Sequence, residues 1–171
     1  MTREHPEWIA AFKALPGNVS KSDLTRIDMD GNAESRPGAV LILLSDGEIA
    51  EGSNWEAILF AAHHKLENLV AIVDYNNLQS LTSVEETLNI DPLEAKFIAF
   101  GWDVFQLDGH NLDALVSTLK VAKAEKNGKP KVIIAKTTKG KGVSFMENKV
   151  LWHYKTPDEN QFIKYILYCI I

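Results

Sequence analysis

The sequence predicts an α/β fold, a single domain on a mostly parallel sheet with helices on both faces. Three observations carry this. Four short runs (39–44, 69–75, 102–107 and 131–137) are apolar enough to be strands, and the first two are apolar enough to be covered on both faces. Segments of helical period separate them. That alternation of strand and helix calls for crossover connections, which pair strands in parallel. The 171 residues suffice for one such domain with a proper core.

The elements follow in order. Residues 1–38 are the least regular. "PEWIAAFKAL" reads as a short amphipathic helix. "PGNVSKSDLTRIDMDGNAESRPG" reads as loop, punctuated by Gly, Pro, Ser, Asp and Asn. Its "DMDGN" misplaces the glycine and closing glutamate of an EF-hand, which rejects a calcium loop. "AVLILL" (39–44) is the first strand. A helix is expected at about 53–66, with Ser53 and Glu56 at capping-box spacing and Ala57, Phe60, Ala61 and His64 on one apolar face. On that reading His64 is a packing residue and His63 is exposed. "LVAIVDY" (69–75) is the second strand, and 76–90 is polar loop. "DPLEAKFIAFG" (91–101) is a helix with Asp91 as cap, Pro92 in the first helical position and Gly101 past its end. "WDVFQL" is the third strand. Residues 111–128 form a helix with Leu112, Leu115, Val116, Leu119 and Ala122 on one side, late lysines that suit the helix dipole, and Gly128 as its stop. "KVIIAKT" is the fourth strand. "FIKYILYCII" (162–171) is an apolar tail that points to an intersubunit contact or an altered chain end.

The totals exclude several classes. Hydrophobic residues at 46% and charged residues at 24% are those of a soluble globular protein. A net charge of -5 argues against nucleic acid as the partner. The single cysteine, Cys169, forms no internal disulfide, so nothing indicates an oxidising compartment. The N-terminal residues lack the apolar core of a signal peptide, and no window reaches the ~18 apolar residues of a membrane span. A cytoplasmic protein that does not enter a membrane is expected.

Parallel α/β sheets bind ligands beyond the carboxyl ends of their strands. There "LSDGEIAEGSNWEA" (44–57) places Asp46, and "DYNN" (74–77) places Asn76. Both side chains offer oxygen, which suits Mg²⁺ or Ca²⁺, and Mg²⁺ completes its shell with phosphate oxygens. Gly47 leaves a backbone N–H open to an anion, and the helix start near Ser53 adds a weak positive field. Read by residue type alone, two readings stand. One is a metal-bridged phosphate or diphosphate. The other is a loop cap at Asp46 and a turn at Asn76–Asn77.

Three blocks in fixed order add to this: "DGEIAEGSNWEA", "KLENLVAIVDYNNLQ" and "KTTKGKGVSFMENKVLWH". Over about residues 39–160 the chain resembles the transketolase family of thiamine diphosphate enzymes. The wider superfamily carries a GDG motif followed about thirty residues later by an asparagine pair. The resemblance divides the chain into an irregular segment (1–38), a diphosphate-binding domain (39–160) and an apolar tail (161–171). It implies metal ligands at Asp46, Asn76 and the Leu78 carbonyl, with Asn76 also touching diphosphate. It implies cofactor contacts at Gly47, Lys139 and His153, with His153 serving proton transfer and so the catalytic candidate. Glu51 and Glu56 match acids that link cofactor sites across a dimer, and the neighbours of His110 in "DGHN" imply a local structural role. The implied activity is transfer of a two-carbon ketol unit between sugar phosphates, using thiamine diphosphate and Mg²⁺ (or Ca²⁺) in an oligomer.

The sequence also departs from the family. Ser45 replaces the first glycine of GDG. Residues 1–38 match none of the histidine-bearing or glycine-rich segments that precede GDG in transketolases. No second domain follows, so a truncated or split subunit is expected, completed by a partner chain carrying a pyrimidine-binding domain. The alternatives are a non-catalytic remnant that acts as a binding or regulatory partner, and the subunit of another thiamine diphosphate enzyme such as a decarboxylating dehydrogenase.

Overall fold

The computed structural model describes residues 39–170. The expected helix and loop within 1–38 lie outside the described residues. The elements are β1 (Val40–Ser45), α1 (Asp46–Ile49), α2 (Gly52–His63), β2 (Leu69–Tyr75), α3 (Val84–Thr87), α4 (Leu93–Ala99), β3 (Asp103–Asp108), α5 (Leu112–Ala124), β4 (Lys131–Lys136), a 3₁₀ turn (Val150–His153) and α6 (Glu159–Ile170).

All four strands pair in parallel, in the order β1-β2-β4-β3. The two inner strands, "LVAIVDY" and "KVIIAK", are buried along their first five residues, which is why they read as continuous apolar runs. Alternate residues serve opposite faces. Leu69, Ala71, Val73, Val132 and Ile134 pack with Ile58 and Ala61 of α2 and with Leu93 and Phe97 of α4. Val70, Ile72, Ile133 and Ala135 pack with Leu115, Leu119 and Ala122 of α5. The strand order explains this division. The chain moves in one direction from β1 to β2 to β3 and then turns back to β4. Right-handed crossovers place helices of opposite travel on opposite faces.

Several expectations need correction. The capping box forms at Ser45 and Glu48, not at Ser53 and Glu56, and α2 starts at Gly52 with Glu51 as a cap residue that makes no side-chain cap bond. The buried face of α2 is Ile58 and Ala61, whereas Phe60 and His64 are exposed and stack on each other at 4.1 Å. Trp55 explains the turn of the helix: its ring lies 5.8 Å from both Phe97 and Phe100 and draws the opposite side inward. Helix α5 ends at Ala124, four residues before Gly128, and the Glu125 carbonyl accepts from the buried Lys131 Nζ at 2.6 Å. Its inner side is Leu115, Leu119 and Ala122, with Leu112 and Val116 left exposed. The stretch 76–90 also holds a short helix, α3, capped by Ser83.

Helix α4 starts at Leu93 with Pro92, not Asp91, as its cap residue and with no side-chain cap bond, but it ends as expected. Gly101 takes φ +89°, and Gly101 N and Trp102 N bond Ile98 O and Phe97 O, the left-handed close that glycine adopts without strain. No helix among the described residues is long and apolar enough to cross a membrane.

Candidate functional site

The parallel sheet puts four strand ends on one edge, and each leads into a polar segment. β1 runs into Asp46. Ser45 is extended at φ -86°, a conformation open to any residue, so serine fits where glycine was expected. Its hydroxyl and N–H are taken up by Glu48: Ser45 N donates to Oε2 at 2.8 Å, and Glu48 N donates back to Ser45 Oγ at 3.2 Å. The box closes one helical turn directly after the strand and turns Asp46 inward.

Asp46 is 2% exposed, and its Oδ2 is buried with no hydrogen-bond partner. Burial pushes its pKa from 3.8 to about 6, and the neighbouring Asp74 carboxylate adds to the rise. Backbone N–H groups of Asn77, Gly47 and Asn76 act the other way. A cation is the usual partner for such an oxygen.

β2 runs into the loop that faces Asp46. Asn76 Oδ1 accepts the Leu78 N–H at 3.0 Å and keeps a second lone pair. Asn77 O accepts from Val84 N and Gln79 N donates to Thr82 O, so the Leu78 carbonyl takes no part in the bridge between Leu78 and Ser83. Beside it, Gln79 Nε2 is buried and without a partner. The site thus holds an unmatched acceptor on Asp46 and an unmatched donor on Gln79. A Cβ on Gly47 would lie 3.9 Å from Ser45 Oγ and 4.0 Å from Gln79 Cγ, so the chain's own packing does not require glycine there.

β4 runs into the segment that supplies the cation and the imidazole. Thr137 Oγ1 donates to Asp74 Oδ1. Lys139 Nζ lies 3.5 Å from His153 Nδ1 on the 3₁₀ turn. Desolvation lowers the pKa of Lys139, and the charges of Asp74 and Asp46 oppose it. Desolvation, followed by the Lys139 charge, lowers the pKa of His153 and favours its neutral ring. Trp152 Nε1 donates to Phe145 O at 2.8 Å, and Tyr154 Oη to Ser80 O at 2.6 Å, tying the His153 segment to the loop after β2.

The structure therefore brings Asp46, Gly47, Asn76, Leu78, Lys139 and His153 to one edge of the sheet. Glu51, the cap residue before α2, and Glu56 on α2 are both exposed. Among the described residues no group of three or more His, Cys, Asp or Glu is placed to hold a metal. The oxygens present are those of one buried carboxylate, one amide and one backbone carbonyl. That set fits a hard cation whose shell a ligand completes. Asp74 and Gln79 escaped the sequence reading, although "DYNN" and "NNLQ" place both beside residues it singled out.

Fold and site together define an α/β domain that gathers a carboxylate, a lysine and a histidine at the carboxyl ends of a parallel sheet. Residues 25–162 match the family model of the transketolase thiamine diphosphate binding domain. One of the subunits of the apulose-4-phosphate transketolase of Actinobacillus succinogenes is 47% identical over 118 residues, 69% of this chain and 42% of that protein. Human transketolase is 41% identical over 121 residues, covering 71% of this chain and 19% of that protein. A crystal structure of Campylobacter jejuni transketolase superposes with a TM-score of 0.62 at 34% identity, covering 66% of this chain and 17% of that one. The chain belongs to the transketolase family, and the match falls on the family's thiamine diphosphate binding domain. It covers about two fifths of the length of the Actinobacillus relative.

Proposed function

We propose that this chain holds Mg²⁺ and the diphosphate of thiamine diphosphate at the strand ends, for transfer of a two-carbon ketol unit between sugar phosphates. The observation that carries the reading is the pair of buried, unmatched polar atoms, Asp46 Oδ2 and Gln79 Nε2. A cation between Asp46 and an anionic ligand matches the first, and a phosphate oxygen matches the second.

Each residue has a part. Asp46, Asn76 and the Leu78 carbonyl hold the metal. Gly47 keeps the backbone open to the diphosphate, and Gln79 donates to it. Lys139 sets a positive charge beside the ligand. His153, held neutral, accepts or delivers a proton at the substrate. The bound thiamine diphosphate supplies the carbanion chemistry, and the chain orients and polarises it. Glu51, at the cap of α2, and Glu56, on it, stand exposed for contact across an oligomer. A partner chain with a pyrimidine-binding domain completes the cofactor pocket. Support for that partner comes from relatives in Actinobacillus succinogenes and Phocaeicola vulgatus, each named as one lettered subunit of an apulose-4-phosphate transketolase.

The test is calorimetric titration of thiamine diphosphate into the purified chain, with and without Mg²⁺, for wild type and Asp46→Ala. Heat that requires Mg²⁺ and vanishes in Asp46→Ala is expected. A folded wild type that gives no heat above buffer would overturn the metal assignment for the isolated chain and leave either a site completed only in the complex or the remnant reading.

A further inference from the structure

The turn at the end of β3 grips the backbone that leads to Lys139. Gly109 N donates to Lys136 O at 2.8 Å. Gly109 itself is buried against the end of β4. A Cβ there would meet Thr137 Cγ2 at 2.5 Å and Ala135 Cβ at 3.1 Å, so the two segments approach more closely than any side chain permits. Asp108 Oδ1 accepts His110 N at 3.0 Å, which fixes the turn. From this turn the His110 ring reaches across, and its Nε2 accepts the Thr138 N–H at 2.7 Å. The next residue is Lys139, whose own carbonyl accepts from Asn148 N at 2.9 Å.

We propose that His110 is a positioning residue that holds the Thr138 backbone with Nε2 and so sets Lys139 against Asp46 and His153. This deepens the proposed function and rests on it for the role of Lys139. An acceptor at Nε2 places the proton of the neutral ring on Nδ1. With no acceptor at this point, the Thr138 N–H turns to water and the loop loses its link to β3. A shift of the Lys139 backbone moves the root of its side chain, and the stem can follow only by giving up the 3.5 Å approach of Nζ to His153 Nδ1 or its partly buried path. Lys139, half-buried and lowered in pKa by desolvation, is thereby anchored through its backbone as well.

The test uses matched amides on the full chain. His110→Gln places an oxygen near the position of Nε2, whereas His110→Asn is one methylene too short to reach. Thiamine diphosphate with Mg²⁺ is the probe, and calorimetry gives Kd. His110→Asn is expected to weaken binding about three- to tenfold, the range of one net hydrogen bond, and His110→Gln to stay within about twofold of wild type. The second readout needs no ligand: the amide resonances of Thr138 and Lys139 in a heteronuclear NMR spectrum. Both are expected to move in His110→Asn and to return in His110→Gln. Equal effects of the two variants on those resonances, or none from either, would overturn the inference. If wild type binds no thiamine diphosphate, the functional reading fails, and the two resonances still decide whether His110 sets the loop.

Discussion

Replacing Asp46 by asparagine should stabilise the metal-free protein while abolishing its use. The carboxylate is almost fully buried, and its pKa rises from 3.8 to about 6. An acid whose folded pKa is raised binds its proton more tightly in the folded state, so ionising it costs stability. The cost is absent below pH 3.8, grows as pH rises from there to about 6, and is constant above. At about 1.36 kcal/mol per pH unit, the full penalty is about 3 kcal/mol. Asparagine removes it but leaves a buried amide N–H without a partner, which returns about 1–2 kcal/mol. The expected net gain at pH 7.5 is about 1–2 kcal/mol. Urea unfolding in a chelator, at pH 7.5 and at pH 3.5, measures it. The gain should vanish or reverse at the lower pH. A variant less stable than wild type at pH 7.5, or a difference that ignores pH, would refute the reasoning.

Other predictions follow from the same geometry. Gln79→Leu removes a buried unmatched donor, so thermal melting of the metal-free chain should rise or hold while thiamine diphosphate affinity falls. A fall in melting temperature would count against the donor being unmatched. Lys139→Met takes away the charge that contributes to the low pKa of His153, so NMR titration should show the His153 pKa rise but stay below its ordinary value, because desolvation remains. No change would mean that the two side chains do not face each other. Gly109→Ala should destabilise the fold by about 1–3 kcal/mol through overpacking against Thr137, read as a lower urea midpoint.

The strands were legible because inner parallel strands are buried on both faces and leave an unbroken apolar signature. β2 was read to the residue and β4 to within one. The helix start was not legible, since "SDGE" and "SNWE" both have capping-box spacing. Only the strand packed behind Ser45 selects the first. The phase of α2 was equally hidden. "WEAILFAA" is apolar nearly all round, so its period fixes no face, and the stacking of Trp55 on Phe97 and Phe100 decides it. At the site, Asp46 and Asn76 stood out as oxygen ligands at strand ends. Lys139 and His153 drew attention through family resemblance alone. Gln79 and His110 owe their parts to burial and to a contact 28 residues apart in sequence, and no local pattern encodes either.

In the proposed function, Asp46, Asn76 and Leu78 hold a cation that clasps a diphosphate. Crystals grown with Mn²⁺ and thiamine diphosphate, measured at the manganese absorption edge, test it most directly. One anomalous peak is expected about 2.1–2.3 Å from Asp46 Oδ2, Asn76 Oδ1 and Leu78 O, with diphosphate density against Gly47 and Gln79. A peak elsewhere, or diphosphate bound with no metal at Asp46, would contradict it.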